Sequence, residues 1–268
     1  MMDSVILGQY VKRDSIIHYL DPRSKILSLI IIMLSFITLE STMSYMIAIF
    51  FVLFILILTN VPFKVYVLAI KPLFFILIVT FLYHMLLTKG SHVILDVYFL
   101  TISVEGIVEG IRITLRIILF ILLASVLTFT TKPLTLAHGL EALMKPLAKL
   151  NFPVEKFALM IIIAIRFIPT ILQELQQILT ALKAKGNHME TLSLRKKLLT
   201  YNRILIPLLT SLVIRAEQLS MAIEARGFGD GKNRVRYHSL SYRLLDYQVL
   251  IVALSFSFFL LYIKVYGI

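Results

Sequence analysis

Residues 153–186, PVEKFALMIIIAIRFIPTILQELQQILTALKAKG, and 194–227, LRKKLLTYNRILIPLLTSLVIRAEQLSMAIEARG, decide how this chain is read. Each is a long helical pattern broken once by a proline, Pro169 or Pro207. Each ends in small residue, basic residue, glycine: Ala184-Lys185-Gly186 and Ala225-Arg226-Gly227. Phe157 to Ile168 is apolar enough to lie in or on a bilayer. Beyond Pro169 the apolar positions Ile171, Leu172, Leu175, Ile178, Leu179 and Leu182 recur at spacings of three and four, with Gln173, Glu174, Gln176 and Gln177 read as the opposing polar face. The second stretch repeats the plan, with Ile204, Leu208, Leu212, Leu219 and Ile223 among the apolar positions of one side. Aligned by their ends, at an offset of 41, the two share Gln177 with Gln218, Ala181 with Ala222, Ala184 with Ala225 and Gly186 with Gly227. All four identities fall in the second half, so the two ends are expected to do similar jobs. From 153 to 186, about 33 residues rising about 1.5 Å each extend about 50 Å, well beyond a bilayer core. The far end is expected to lie along the membrane or project from it.

The composition places this stretch in a membrane protein. Of 268 residues 59% are apolar and only 16% charged, with a mean hydropathy of +0.91, outside the soluble range. Lys and Arg outnumber Asp and Glu by 27 to 15, and the excess is concentrated. Between 130 and 243 there are 17 Lys or Arg against 7 Asp or Glu. That asymmetry orients the chain in a membrane, with this segment cytoplasmic, and is not a nucleic-acid signature. There is no cysteine, which excludes disulfides, thiolate metal sites and cysteine nucleophiles. No signal-peptide pattern precedes the first apolar run at Ile26.

Taken in order, residues 1–25 are mixed and expected to be cytoplasmic. Asp21-Pro22-Arg23 is a helix-entry signal, Asp21 capping and Pro22 in the first turn. Two apolar runs follow, 26–39 and 43–58, separated by Glu40-Ser41-Thr42. Both are short of the roughly 20 residues a span needs, so a tight helical hairpin with its ends in the interface is predicted. A third span is expected at 65–87, with Lys71-Pro72 near its cytoplasmic end, then an outside loop at 88–106 and a fourth span at 107–129. Arg112 and Arg116, one turn apart on that span, either snorkel and pair with Glu109 or Glu105, or contact a partner subunit. A fifth span, 244–265, returns to the outside. The expectation is an all-α membrane protein of about five transmembrane helices, with a cytoplasmic-side domain of long amphipathic helices. Its regions are 1–130, 131–243 and 244–268, with the N-terminus cytoplasmic and the C-terminus outside.

The two endings admit two readings. A basic residue in a last helical turn complements the helix dipole and a glycine after it takes the left-handed cap, so each could be a plain stop signal. Alternatively, two slim tips presenting a cation suit insertion into acidic grooves on a partner, where Arg can form a bidentate bond to a carboxylate. Phe228-Gly229-Asp230-Gly231-Lys232 beyond the second is turn-forming.

LDPRSKIL at 20–27, TFTTKPLTLAHGLEALMKPL at 128–147, RFIPTILQEL at 166–175 and EARGFGDG at 224–231 together resemble the transmembrane T component of energy-coupling factor (ECF) transporters. These are prokaryotic importers of vitamins and micronutrients, of the ATP-binding cassette class. The resemblance implies a non-catalytic scaffold and coupling subunit that joins a substrate-binding membrane S component to two cytoplasmic ABC ATPases, a homo- or heterodimer. It binds no cofactor itself, ATP being used by the partners. It also implies that Ala184, Lys185, Gly186, Ala225, Arg226 and Gly227 dock into grooves of the two ATPases. Lys185 departs from the usual Arg, keeping the charge but losing the planar fork. Pro169 and Pro207 would set helix shape, as hinges or as fixed kinks. Other classes fit less well. His18, His84, His92, His138, His188 and His238 are scattered, and there is no His-Glu-x-x-His, Gly-x-Ser-x-Gly or Walker A pattern for an intramembrane enzyme or an ATPase. A secondary transporter would place ionisable residues near the midplane of its spans, and spans one to three and five have very few.

Overall fold

The computed structural model describes residues 10–88, 90, 92–97, 100–150, 153–185, 194–227 and 241–266. Contacts divide the chain into two compact units, 1–143 with 240–268, and 144–239. The helices are α1 (Ile16–Tyr19), α2 (Pro22–Phe36), α3 (Thr42–Leu58), α4 (Phe63–Ile70), α5 (Phe74–Leu87), α6 (Val104–Thr130), α7 (Pro133–Met144), α8 (Val154–Ala184), α9 (Leu194–Ala225) and α10 (Leu244–Tyr266). The protein is an all-α membrane protein apart from one small hairpin. Five stretches are long and apolar enough to cross a bilayer: 63–87, 104–130, 156–184, 200–225 and 244–266. Three of them match the predicted third, fourth and fifth spans. The predicted first and second form a hairpin of shorter helices, while α8 and α9 pass the same length and hydropathy test because apolar residues cover so much of their surface.

In the first unit the helix ends are tied together by polar groups. Asp21 caps α2, accepting from the Arg23 N–H at 2.9 Å, with Pro22 at the first helical position, as its sequence predicts. The Asp246 carboxylate, 1% exposed, accepts from the Asp21 N–H at 2.7 Å, the Ser24 hydroxyl at 2.8 Å and the Arg243 N–H at 2.7 Å. One carboxylate thereby satisfies orphan donors at the N-termini of both α2 and α10. Close by, the buried Lys25 ammonium donates to the Thr130 carbonyl and the Thr131 hydroxyl, both at 3.1 Å, and the Val11 N–H reaches the Phe129 carbonyl at 3.0 Å. These close the C-terminus of α6. Burial holds the His18 imidazole below its ordinary value, so the neutral ring donates from Nε2 to the Val11 carbonyl at 3.0 Å and accepts from Ser15 at 2.7 Å. The chain therefore enters α2, leaves α6 and enters α10 at one end of the bundle.

At the other end sits the α2–α3 turn. Arg116 donates to the Leu39 carbonyl at 2.5 Å and the Tyr45 hydroxyl at 3.0 Å, and Lys264 pairs with Glu40 at 2.7 Å. Arg112 lies 3.8 Å from Glu109. Arg112 thus lies beside Glu109, as its spacing predicts, whereas Arg116 bonds the α2–α3 turn and not Glu109 or Glu105. Phe36, Val52, Tyr66, Phe129 and Leu260 fill the core between the ends, with Phe51 stacked on Phe256 at 3.7 Å and the Tyr66 hydroxyl 2.8 Å from that of Thr59.

Two local features differ from expectation. Lys71-Pro72-Leu73 forms a 3₁₀ turn between α4 and α5, because the proline supplies no N–H to the α-helical ladder. The loop at 88–106 contains an antiparallel hairpin, β1 (Val93–Val97) with β2 (Leu100–Ser103), paired Val97 to Leu100 and Val93 to Ser103. Val93, Ile94, Val97, Thr101 and Ile102 are β-branched, a composition that favours strands over an irregular loop. Ala137 and Gly139 of α7 are buried and Gly139 lies against Pro22, so α7 packs within the first unit.

Helices α5 and α6 approach closely at Gly106-x-x-x-Gly110, a small-residue pattern that lets backbones meet. A Cβ at Gly106 would sit 3.0 Å from the His84 carbonyl, and one at Gly110 3.1 Å from that of Phe81. Gly110→Leu should separate the pair at a cost of about 1–3 kcal/mol, read as a lower thermal unfolding midpoint in detergent, with Gly110→Ala giving a smaller drop.

Candidate functional site

Helices α8 and α9 carry every residue singled out for function. Both run through their prolines: Pro169 lies inside α8 and Pro207 inside α9. The missing N–H and the ring clash remove one backbone bond at each. Beyond Pro169 the less exposed positions of α8 are Ile171, Leu172, Glu174, Leu175, Ile178, Leu179 and Leu182. In α9 they are Thr200, Ile204, Leu208, Ser211, Leu212, Arg215, Leu219 and Ile223. Both sets follow helical spacing, as expected of stripes that face a neighbouring helix.

Glu174 is the correction to the sequence reading. It was placed on the polar face with Gln173, Gln176 and Gln177; those three are exposed, but Glu174 is half-buried. One oxygen accepts from the Ser211 hydroxyl and the other lies 3.4 Å from Arg215 Nη2. The signal was available: at about 100° per residue, Glu174 is three positions after Ile171 and one before Leu175, within the apolar stripe. Ser211 and Arg215 were not singled out, and they sit between Leu208, Leu212 and Leu219 on the matching stripe.

The two tips are described by their own helix ends. Ala184, Lys185, Ala225, Arg226 and Gly227 are all exposed. Lys185 follows α8 with its N–H bonded to the Ala181 carbonyl at 3.2 Å; Gly186 lies outside the described residues, as does the turn-forming segment 228–232. At the second tip the Arg226 N–H reaches the Ala222 carbonyl at 3.3 Å and the Gly227 N–H reaches Glu224 at 2.8 Å. Gly227 has φ +65° with no atom within 4 Å of a built Cβ. The second ending is therefore a helix stop of the left-handed glycine type. The stop leaves the arginine side chain free: among the described residues neither Lys185 nor Arg226 has an ion-pair partner. A stop signal and a presented cation are compatible, since glycine ends the helix and so puts the basic residue at its tip.

The fold and these tips define a helical membrane subunit that offers two exposed cationic helix ends. The chain matches the family described as cobalt transport protein over residues 13–237. An energy-coupling factor transporter transmembrane protein, EcfT, from Macrococcus caseolyticus is 36% identical over 264 residues, 98% of this chain and 100% of that protein. The proteins of the same name from Bacillus subtilis and Staphylococcus aureus are 36% and 31% identical, covering 97% and 100% of this chain and 99% and 100% of their own lengths. The chain belongs to this family, the transmembrane T components of ECF transporters.

The open space around Gly227 isolates its conformational role. Gly227→Val should fray the end of α9, because a β-branched residue is strained at positive φ. Amide exchange at 222–226 should accelerate, whereas Gly227→Asn, which tolerates the left-handed region, should leave it close to wild type.

Proposed function

We propose that this transporter subunit couples two ABC ATPases, a homo- or heterodimer, to a substrate-binding membrane S component, and that the coupling runs through α8 and α9. In this reading Ala184-Lys185-Gly186 and Ala225-Arg226-Gly227 each enter a groove on one ATPase. The observation that carries it is the pair of exposed basic side chains at the ends of two long helices. An arginine offers a carboxylate a planar, two-donor fork, and Lys185 offers a compact charge without that fork. Arg226 is then the stronger anchor. The alanines keep both tips slim enough to enter a concave surface.

ATP bound between the ATPases draws their grooves together, and the tips follow. The helices transmit the movement to the S component along their exposed apolar side chains, which include Met160, Ile206, Val213 and Met221. Pro169 lies between Met160 and the first tip and Pro207 between Ile206 and the second, where a weakened backbone ladder bends most readily. ATP hydrolysis belongs to the partners, and the substrate, a vitamin or micronutrient, to the S component. The positive-inside bias supports a cell-membrane subunit whose N-terminus and tips are cytoplasmic and whose C-terminus is outside.

Arg226→Glu should abolish uptake and strip the ATPases during co-purification, since reversing one partner of a close charge pair costs about 2–5 kcal/mol. Lys185→Glu should do so less completely, and Lys185→Arg should keep or tighten ATPase binding. Wild-type assembly and uptake in both reversed variants would refute the docking assignment. The purified chain alone should turn over no ATP; robust turnover would refute the coupling role altogether.

A further inference from the structure

Glu174, Ser211 and Arg215 have no place in docking, yet they join the two helices that carry the tips. We infer that they form a pin that registers α8 against α9, making the tips the ends of two arms of equal length. The inference rests on the coupling role proposed above and names residues that position it. Among the described residues Glu174–Arg215 is the one ion pair between α8 and α9, and Ser211 takes the other carboxylate oxygen.

Its place in the sequence is the second observation. Glu174 and Arg215 stand at the same offset of 41 that aligns the two endings, so Lys185 and Arg226 each lie eleven residues beyond the pin. At about 1.5 Å per residue each arm is about 16 Å long. Pro169 is five residues before Glu174, and Pro207 is four before Ser211 and eight before Arg215, so on both helices the broken backbone bond falls about one to two turns before the pin. The pin thus holds the tip-bearing arms together on the far side of their weakest points.

A charged pair among leucines is a costly way to gain stability, because apolar residues would pack there as well or better. What it supplies is register. Sliding one helix past the other by a turn, about 5.4 Å, would carry either Ser211 or Arg215, which stand one turn apart, away from Glu174 and cost the carboxylate one of its two partners. A single polar contact in an apolar seam specifies alignment in helical pairs by this penalty. Register matters here because two tips at unequal heights could not sit in two equivalent grooves together.

The test uses the assembled transporter, with its ATPases and S component, reconstituted in liposomes. The variants are Glu174→Gln, Arg215→Met and the exchange Glu174→Arg with Arg215→Glu. Each single variant should keep its ATPases on co-purification but import about five- to tenfold less substrate per ATP hydrolysed, the scale of a typical coupling energy. The exchange should restore much of the ratio. Because the chain has no cysteine, spin labels at Lys183→Cys and Glu224→Cys, which also obey the offset of 41, read the arms directly. The distance distribution should broaden in Glu174→Gln and narrow again in the exchange. An unchanged ratio together with an unchanged distribution in the single variants would overturn the pin, as would failure of the exchange to restore either. Loss of the ATPases in the single variants would also overturn it, by placing these residues in docking. Failure of the docking reading would appear separately, as intact assembly in Arg226→Glu.

Discussion

The Asp246 carboxylate, buried at the first turns of both α2 and α10, is the contact on which the membrane bundle depends. Helix ends leave N–H and C=O groups that hydrocarbon cannot satisfy. In this chain the ends of three helices meet in one place and solve the problem for each other. Asp246 takes donors from two N-termini, while Lys25 and the Val11 N–H take the carbonyls that α6 leaves open. The positive and negative ends of these helices are thereby matched with a buried anion and a buried cation. Truncating either would strand the other groups in a site that water does not reach, a larger loss than any one of these hydrogen bonds contributes.

With the ends fixed, the spans between them need little polar chemistry. Lipid is as apolar as leucine, so helix association comes from close packing, seen at Gly106 and Gly110 against α5 and in the aromatic contacts of Phe51, Phe256, Tyr66 and Phe129. The second unit follows a different rule. Its two long helices leave large apolar side chains exposed along their length and basic ones exposed at their tips. Exposed apolar side chains of this kind suit contact with lipid or with another chain, and the exposed basic tips suit the docking proposed above. Where α8 and α9 meet beyond their prolines, a single polar contact of Glu174 with Ser211 and Arg215 sits within largely apolar stripes, and its value lies in alignment more than in stability.

Much of this was legible before any coordinates. Asp21-Pro22 announces the start of α2, the apolar runs locate α3, α5, α6 and α10, and the endings at Lys185 and Arg226 stand out by their likeness. Less legible were features that depend on a neighbour. Glu174 reads as polar and was grouped with the glutamines beside it, because a one-dimensional pattern ranks residues by type and not by what lies opposite. Nothing local marks the roles of Asp246 and Lys25: the first serves the starts of α2 and α10 and the second the end of α6. The β1–β2 hairpin was hidden for another reason: four- and five-residue strands carry too little periodicity to compete with a charge-based reading of the same segment.

By itself, the sequence determined the membrane class, the helical content and the family, since all three follow from composition, periodicity and short motifs along one chain. The tertiary structure decided which charges are shared. It assigned Asp246 to two helix starts, Arg116 to the turn after α2 and Glu174 to Ser211 and Arg215. These pairings join residues up to 225 positions apart, and no local pattern encodes them. They exist because packing brings the ends and stripes of separate helices within hydrogen-bonding distance, and because an unpaired charge there would cost more than the pairing does.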